Sequence, residues 1–92
     1  MPAQEPLKVQ LPMTLANAVQ LLQMGRDLGA GEREVDLSGV EQADSSGLAV
    51  LLEWQRLAHA AGGVLRFTHP PQSLRALTTL YDLDEVVRWE AA

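Results

Sequence analysis

A carboxylate and two hydroxyls directly precede an apolar run near the centre of the chain. Asp44, Ser45, Ser46 and Gly47 are followed by Leu48-Ala49-Val50-Leu51-Leu52. The first N–H groups of a helix lack intrahelical acceptors and carry partial positive charge, so they favour a capping oxygen or an added negative charge. A phosphoserine there would place a charge of about −1.5 to −2 where the backbone favours it. We interpret residues 44–47 as a docking loop or a switch, with a simple Ser45 or Ser46 N-cap as the alternative.

Serine hydrolysis is the least favoured chemistry for these hydroxyls. His59 follows Ser46 by thirteen residues on the predicted helix, a distance of about 20 Å at 1.5 Å per residue. His69 follows a predicted strand but directly precedes Pro70-Pro71, which is typical of an exposed loop. The sequence has no Gly-x-Ser-x-Gly elbow, phosphate loop or dinucleotide fingerprint. We therefore expect no catalysis and no cofactor.

Charge and composition argue against several classes of partner. Twelve acidic and seven basic residues give a net charge of −5, and the basic residues are scattered, so nucleic acid is not expected to bind. The absence of cysteine and the presence of only two histidines argue against a disulfide scaffold or a structural zinc site. No apolar stretch approaches the roughly 20 residues needed to span a bilayer. We expect a cytoplasmic protein without direct membrane insertion.

Apolar periodicity predicts an α/β fold. Period-two alternation predicts three strands, over 7–11, 34–37 and 65–68. Helical spacing and stop signals predict three helices. The first covers 15–28 with Thr14 as its N-cap, the second covers 46–61, and the third runs from Pro71 or Gln72 to Leu80. A short helical turn is predicted over 84–89. The alternation of strand and helix implies parallel pairing. Because the strand patterns are one-sided, we expect the helices mainly on one face of the sheet.

The second predicted helix carries a wide apolar arc. Its core-facing stripe has the spacing of a helix packed on a sheet and comprises Val50, Leu51, Trp54, Leu57, Ala58 and Ala61. Leu48, Ala49 and Leu52 widen the arc beyond that stripe. The arc is either a well-covered small core or, on the flank beside the serines, a partner surface. Trp54 is expected in the core.

The segment 35–40, followed by Asp44-Ser45-Ser46-Gly47-Leu48 and an apolar helix, resembles the central signature of STAS domains, the family of sulfate-transporter tails and anti-sigma-factor antagonists. The segment 65–87 looks like the MlaB group, small STAS proteins that accompany the ATPase of a phospholipid ABC transporter. The resemblance covers nearly all of residues 7–89. It implies one STAS domain over 7–92, with a small sheet, after a flexible segment over 1–6.

The resemblance implies a non-catalytic accessory subunit that binds, and regulates or stabilises, the ATPase of a phospholipid transporter maintaining outer-membrane lipid asymmetry. Through that ATPase the chain would associate with a membrane permease and lie at the inner membrane. The implied contact loop and its flank are Asp44, Ser45, Ser46 and Gly47, then Leu48, Ala49 and Leu52.

The serine pair also allows a second function within the same family. MlaB-type proteins often carry threonine and glycine where this chain has Ser45 and Ser46, whereas the antagonists carry two serines, of which the second is the phosphoacceptor. The alternative is therefore an anti-sigma-factor antagonist switched at Ser46. STAS domains also commonly begin with an extra strand, and only six residues precede Leu7. A sheet lacking that strand would expose an edge through which two copies could associate.

Overall fold

The computed structural model describes residues 5–26, 31–87 and 89–90. The elements in chain order are β1 (Leu7–Lys8), a 3₁₀ turn (Leu15–Asn17), α1 (Ala18–Gly25), β2 (Gly31–Asp36), α2 (Ser45–Ala60), β3 (Gly63–Thr68), α3 (Gln72–Leu80) and β4 (Trp89–Glu90). The strands form one sheet in the order β1-β2-β3-β4, and every neighbouring pair is parallel. The predicted α/β fold with parallel strands is confirmed.

The helices pack on one face of this sheet. Each β-α-β unit steps to the next strand in the same direction, and because such crossovers are right-handed, each helix arrives on the same side. Val35 and Phe67, which are register partners, are buried on that side. The opposite face is charged: Arg66 Nε lies 2.9 Å from Glu32 Oε1, and Arg66 Nη1 lies 3.6 Å from Glu90 Oε1. Because one face of the sheet is apolar and the other is charged, apolar and polar residues alternate along the sequence of these strands.

Trp54 joins α1 to α2 at the centre of the core. Its indole is fully buried, and Nε1 donates a hydrogen bond of 2.9 Å to the carbonyl oxygen of Leu21. Gly25 lies against the same ring, and a Cβ at that position would overlap the indole. The other buried members of the core are Val9, Met13, Val35, Leu37, Val40, Leu48, Val50, Leu51, Phe67, Leu74 and Val87.

The predicted stripe on α2 is correct in its central part. Its buried members are Val50, Leu51, Trp54 and Ala58. Leu57 is only half-buried, and Ala61 is exposed and lies just beyond the last helical residue. The bounds of α2 are shifted by one residue from the predicted 46–61, and α3 begins at Gln72 as one of the two predicted alternatives.

The predicted helix over 15–28 is divided in the structure. It begins as the 3₁₀ turn Leu15–Asn17 and continues as α1, Ala18–Gly25. Thr14 occupies the predicted N-cap position, at the start of the 3₁₀ turn, but its side chain makes no capping hydrogen bond. The N–H of Leu15 donates instead to Asp44 Oδ2 at 3.3 Å. The end predicted for this helix lies outside the described residues.

The structure differs most from the sequence-based prediction at the two short strands, β1 and β4. β1 covers only Leu7–Lys8 of the predicted 7–11 strand, and the chain bends at Leu11. The helical turn predicted over 84–89 is wrong at its end, since Trp89 pairs with Phe67 as part of β4. Their rings meet edge to face with centroids 6.2 Å apart.

The backbone of the β1 edge has few groups available for pairing. The N–H of Val9 donates to the carbonyl oxygen of Asp36, so it faces β2. By alternation along the strand, the outward-facing backbone groups belong to Pro6, Lys8 and Gln10. Proline has no N–H, and a short edge with a lysine resists strand addition. Association of two copies through this edge stays a prediction, and Lys8 and Gln10 are the two outward N–H donors among residues 5–10 that the structure describes.

Candidate functional site

Asp44 caps helix α2 and also holds the start of the preceding helical segment. Its Oδ1 accepts hydrogen bonds from the N–H groups of Ser46, at 2.8 Å, and Gly47, at 3.3 Å. Its Oδ2 accepts one from the N–H of Leu15 at 3.3 Å. One carboxylate therefore satisfies donors at the start of two helical segments. The simple alternative, in which Ser45 or Ser46 is the N-cap, is wrong because Asp44 performs that role.

Gly47 lies where α2 begins against Met13. A Cβ at position 47 would overlap the Met13 carbonyl oxygen and would lie 2.8 Å from the Met13 Cβ. Met13 is fully buried, its carbonyl accepts from the N–H of Asp44 at 3.1 Å, and its N–H donates to the carbonyl of Gln42 at 2.9 Å. The close approach requires a glycine here, a role that the local sequence did not reveal. The serine loop is consequently tied to the core on both sides.

The two serines differ in accessibility. Ser45 is exposed, whereas Ser46 is half-buried in the first turn of α2. Ser46 lines a groove of about 620 Å³ between the first helical segment and α2. The apolar residues that share this groove are Leu15, Ala18, Leu22, Ala49, Val50 and Leu57. We call it the α1/α2 groove.

Two large apolar side chains are exposed on the first helical segment, and one of them, Leu15, lines the α1/α2 groove. Leu15 is 73% exposed and Val19 is 71% exposed, and their spacing of four residues places them on one side of the first helical segment. Arg26 and Glu53 supply charged groups of opposite sign to the groove lining. An apolar surface with a polar margin, next to accessible hydroxyls, is typical of a protein-binding site.

The predicted flank does not form one surface. Leu48 is 4% exposed and belongs to the core, so it is unavailable to a partner. Ala49 is exposed in the α1/α2 groove. Leu52 is half-buried and lines a different groove, between α2 and β3. Only Ala49 therefore continues the serine loop as an accessible surface.

His69 pairs with an aspartate and not with the serines. Its Nδ1 lies 3.4 Å from Asp36 Oδ1, which also accepts a hydrogen bond of 2.9 Å from the N–H of Ser38. The Ser38 N–H is the main cause of the lowered pKa of Asp36, and the charges of His69 and Lys8 act in the same direction. Within the described residues no hydrogen bond joins His69 to either serine of the loop. The structure thus shows no Ser–His pair at this site.

Neither a cluster of metal-binding side chains nor a membrane-spanning helix is found among residues 5–26, 31–87 and 89–90. In them, no group of three or more His, Asp or Glu side chains could hold a metal ion. None of the helices among these residues is long and apolar enough to cross a membrane.

A four-stranded parallel sheet with helices on one face, and a capped serine loop opening the second long helix, define a STAS-type α/β domain. The family model described as "Mlab, STAS domain" matches residues 3–88. The chain therefore belongs to the MlaB-type STAS family. None of the curated proteins matches the sequence significantly. STAS domains are generally non-catalytic.

Proposed function

We propose that this chain is a non-catalytic accessory subunit that binds the ATPase of a phospholipid ABC transporter and stabilises or regulates it. Membership of the MlaB-type family supports this class of partner. The observation that carries the proposal is the exposed side chain of Leu15, which lines the α1/α2 groove together with Ser46. In this proposal the ATPase binds at the α1/α2 groove, and the permease and the inner membrane are reached only through the ATPase.

The shape of the loop suits a docking role. Because Asp44 and Gly47 hold the start of α2 against the core, the serines are presented on a fixed surface. A preorganised surface loses little conformational entropy on binding, so more of the contact energy appears as affinity. The exposed Leu15 side chain supplies apolar area that a partner can remove from water.

A matched pair of charge substitutions tests the docking surface. Leu15 and Leu80 are both 73% exposed, but only Leu15 lies at the α1/α2 groove. Titration calorimetry with the ATPase that co-purifies with the native chain should show binding weakened about tenfold or more by Leu15→Glu, equivalent to about 1.4 kcal/mol. Leu80→Glu should leave the affinity unchanged. Equal affinities for the two variants would remove the α1/α2 groove from the interface.

Charge added at the serines should affect binding and folding separately. Ser45→Glu and Ser46→Glu should weaken ATPase binding, while thermal unfolding shows an intact fold because a helix N-terminus accepts negative charge. Ser45→Ala and Ser46→Ala serve as uncharged controls. If both glutamate variants bind as the wild type does, the serine loop lies outside the interface.

The serine pair supports one alternative, an anti-sigma-factor antagonist switched by phosphorylation. Ser45 is exposed, so a kinase can reach it, whereas Ser46 is half-buried and its N–H is already bonded to the Asp44 carboxylate. A phosphate on Ser46 would gain from the helix N-terminus but would lie close to that carboxylate. Intact-mass measurement after incubation with the co-purified partner and ATP distinguishes the two functions. Stoichiometric phosphorylation that abolishes binding would favour the antagonist.

A further inference from the structure

Helix α3 buries one face in the core and leaves the other face exposed. Leu74 and Thr78, one turn apart, are fully buried. At the end of the helix Leu80 is 73% exposed, and the neighbouring Tyr81 is 52% exposed. Two adjacent large apolar side chains give this end of α3 a wider apolar surface than a single exposed residue would, and wide apolar surfaces mark contact sites.

The exposed face of α3 combines a hollow with a projection. A shallow groove of about 700 Å³ lies along it, and its lining residues are Pro70, Gln72, Arg75, Ala76, Thr79 and Leu80. Ala76 and Leu80 are four residues apart, so they lie on the same side of the helix, about 6 Å apart along its axis. The short alanine side chain leaves room above it, whereas the exposed leucine extends outward. A second helix packed here can place one large side chain over Ala76.

The same face is complementary to a copy of itself. If two α3 helices lie antiparallel, Leu80 of each copy can pack over Ala76 of the other. That register also places Arg75 of one copy opposite Asp82 of the other, to within one residue, which is about 1.5 Å along the helix axis. Both of these side chains are exposed, and their charges are opposite. A two-fold axis makes every such contact twice, so one arrangement forms both the apolar and the charged contacts.

Charge favours this orientation over general association. Each copy carries a net charge of −5, so two copies repel each other in most orientations. An orientation that brings Arg75 to a carboxylate of the second copy offsets part of this repulsion. The antiparallel arrangement also places the partly positive N-terminus of each α3 beside the partly negative C-terminus of the other. A second copy of this chain therefore fits the exposed face of α3.

We propose that this chain forms a two-fold homodimer in which α3 packs antiparallel against α3 of a second copy. The Leu80 side chain of each copy lies over Ala76 of the other. The Arg75 guanidinium pairs with the Asp82 carboxylate across the interface, and the two-fold axis passes close to Thr79. None of the residues that line this groove lines the α1/α2 groove, so the dimer is independent of the proposed function.

Sedimentation equilibrium of the full chain tests whether the dimer forms. Helix α3 has nine residues and is about 14 Å long. One such helix from each copy buries less than the roughly 1,200 Å² at the lower limit of stable complexes, so the dimer is weak. The apparent mass should rise from monomer towards dimer between about 20 μM and 1 mM of chain. An apparent mass that stays monomeric throughout this range would overturn the proposal.

Two equally exposed leucines locate the interface. Leu80→Glu places a carboxylate over Ala76 of the second copy and should weaken self-association about tenfold or more. Leu15→Glu should leave self-association unchanged. Titration with the ATPase predicts the opposite order for these two variants, so failure of the dimer and failure of the proposed function are distinguished. If Leu80→Glu associates as the wild type does, the proposal is wrong.

A matched pair of charge reversals tests the contact between Arg75 and Asp82. Arg75→Glu should weaken self-association several-fold, because it brings two carboxylates together at each end of the interface. Arg56→Glu changes the net charge equally on the exposed surface of α2 and should have a clearly smaller effect. Equal effects of the two variants would show that overall charge, and not this contact, controls association, which would contradict the proposal.

Single cysteines test the position of the two-fold axis, because the sequence contains no cysteine. Thr79→Cys lies close to the axis, and air oxidation should link its two copies by a disulfide. Ser73→Cys is exposed on the same helix, but its two copies lie roughly 15 Å apart along the helix axis. A disulfide bridges Cα atoms no more than about 7 Å apart. Cross-linking of Thr79→Cys alone supports the register, whereas equal cross-linking of both variants, or of neither, would contradict it.

Discussion

The Asp44→Ala substitution should destabilise the protein more than loss of an ordinary exposed carboxylate would. Asp44 accepts hydrogen bonds from Ser46, Gly47 and Leu15, at 2.8, 3.3 and 3.3 Å. Replacing an N-cap aspartate by alanine costs about 0.5–2 kcal/mol. Because Asp44 also holds the Leu15 N–H, we expect the upper half of that range, about 1–2 kcal/mol. For a protein of this size, each kcal/mol lowers the melting temperature by roughly 4–8 °C.

Thermal and urea unfolding, followed by the fluorescence of buried Trp54, measure this loss. Asp44→Asn is the matched control, because asparagine caps a helix about as well as aspartate does. In Asp44→Asn the amide oxygen can accept from Ser46 and Gly47, but the NH₂ group that replaces Oδ2 cannot accept from the Leu15 N–H. We therefore expect the stability of Asp44→Asn to lie between those of the wild type and Asp44→Ala. A free energy of unfolding for Asp44→Ala within about 0.3 kcal/mol of the wild type would refute the double-capping role.

Three further predictions concern the surroundings of the site. Gly47→Ala forces a Cβ into Met13 and should cost about 1–3 kcal/mol in urea unfolding; wild-type stability would show that the helix start is free to shift. Trp54→Phe removes the donor to Leu21 and some buried volume, and should cost about 1–3 kcal/mol by the same assay. The pKa of the Asp36 carboxyl is lower in the folded protein than its ordinary value of 3.8. The ionised carboxylate therefore stabilises the fold at pH values above the pKa of the unfolded chain. This stabilisation is lost as the pH falls through the lowered pKa of the folded protein. The difference in melting temperature between wild type and Asp36→Asn should therefore shrink below about pH 4, and a difference independent of pH would contradict the assignment.

The long elements were predictable because their information is local and periodic. The sixteen residues of α2 carry an apolar stripe that depends on helical spacing, and the prediction missed its start by one residue. The strands β2 and β3 alternate because one face packs under helices and the other carries charges such as Arg66 and Glu32. Family resemblance added the type of sheet and the position of the serine loop.

The remaining features depend on contacts between distant parts of the chain. The start of the first helical segment is held by Asp44, twenty-nine residues away from Leu15, so no nearby cap could reveal it. The two residues of β4 are too short to show a period, and their strand depends on pairing with Phe67. The need for glycine at position 47 follows from the approach of Met13, which only the folded chain brings there. Local patterns carry none of this information.

Identification of the proteins that co-purify with the native chain tests the central claim most directly. Mass spectrometry of complexes isolated at native expression should find an ABC transporter ATPase and its permease with the wild-type chain. The same proteins should be retained by Leu80→Glu and depleted by Leu15→Glu, which differ in position but not in exposure. Recovery of a histidine-kinase-like anti-sigma factor without transporter subunits would contradict the account and favour the phosphorylation-switched antagonist.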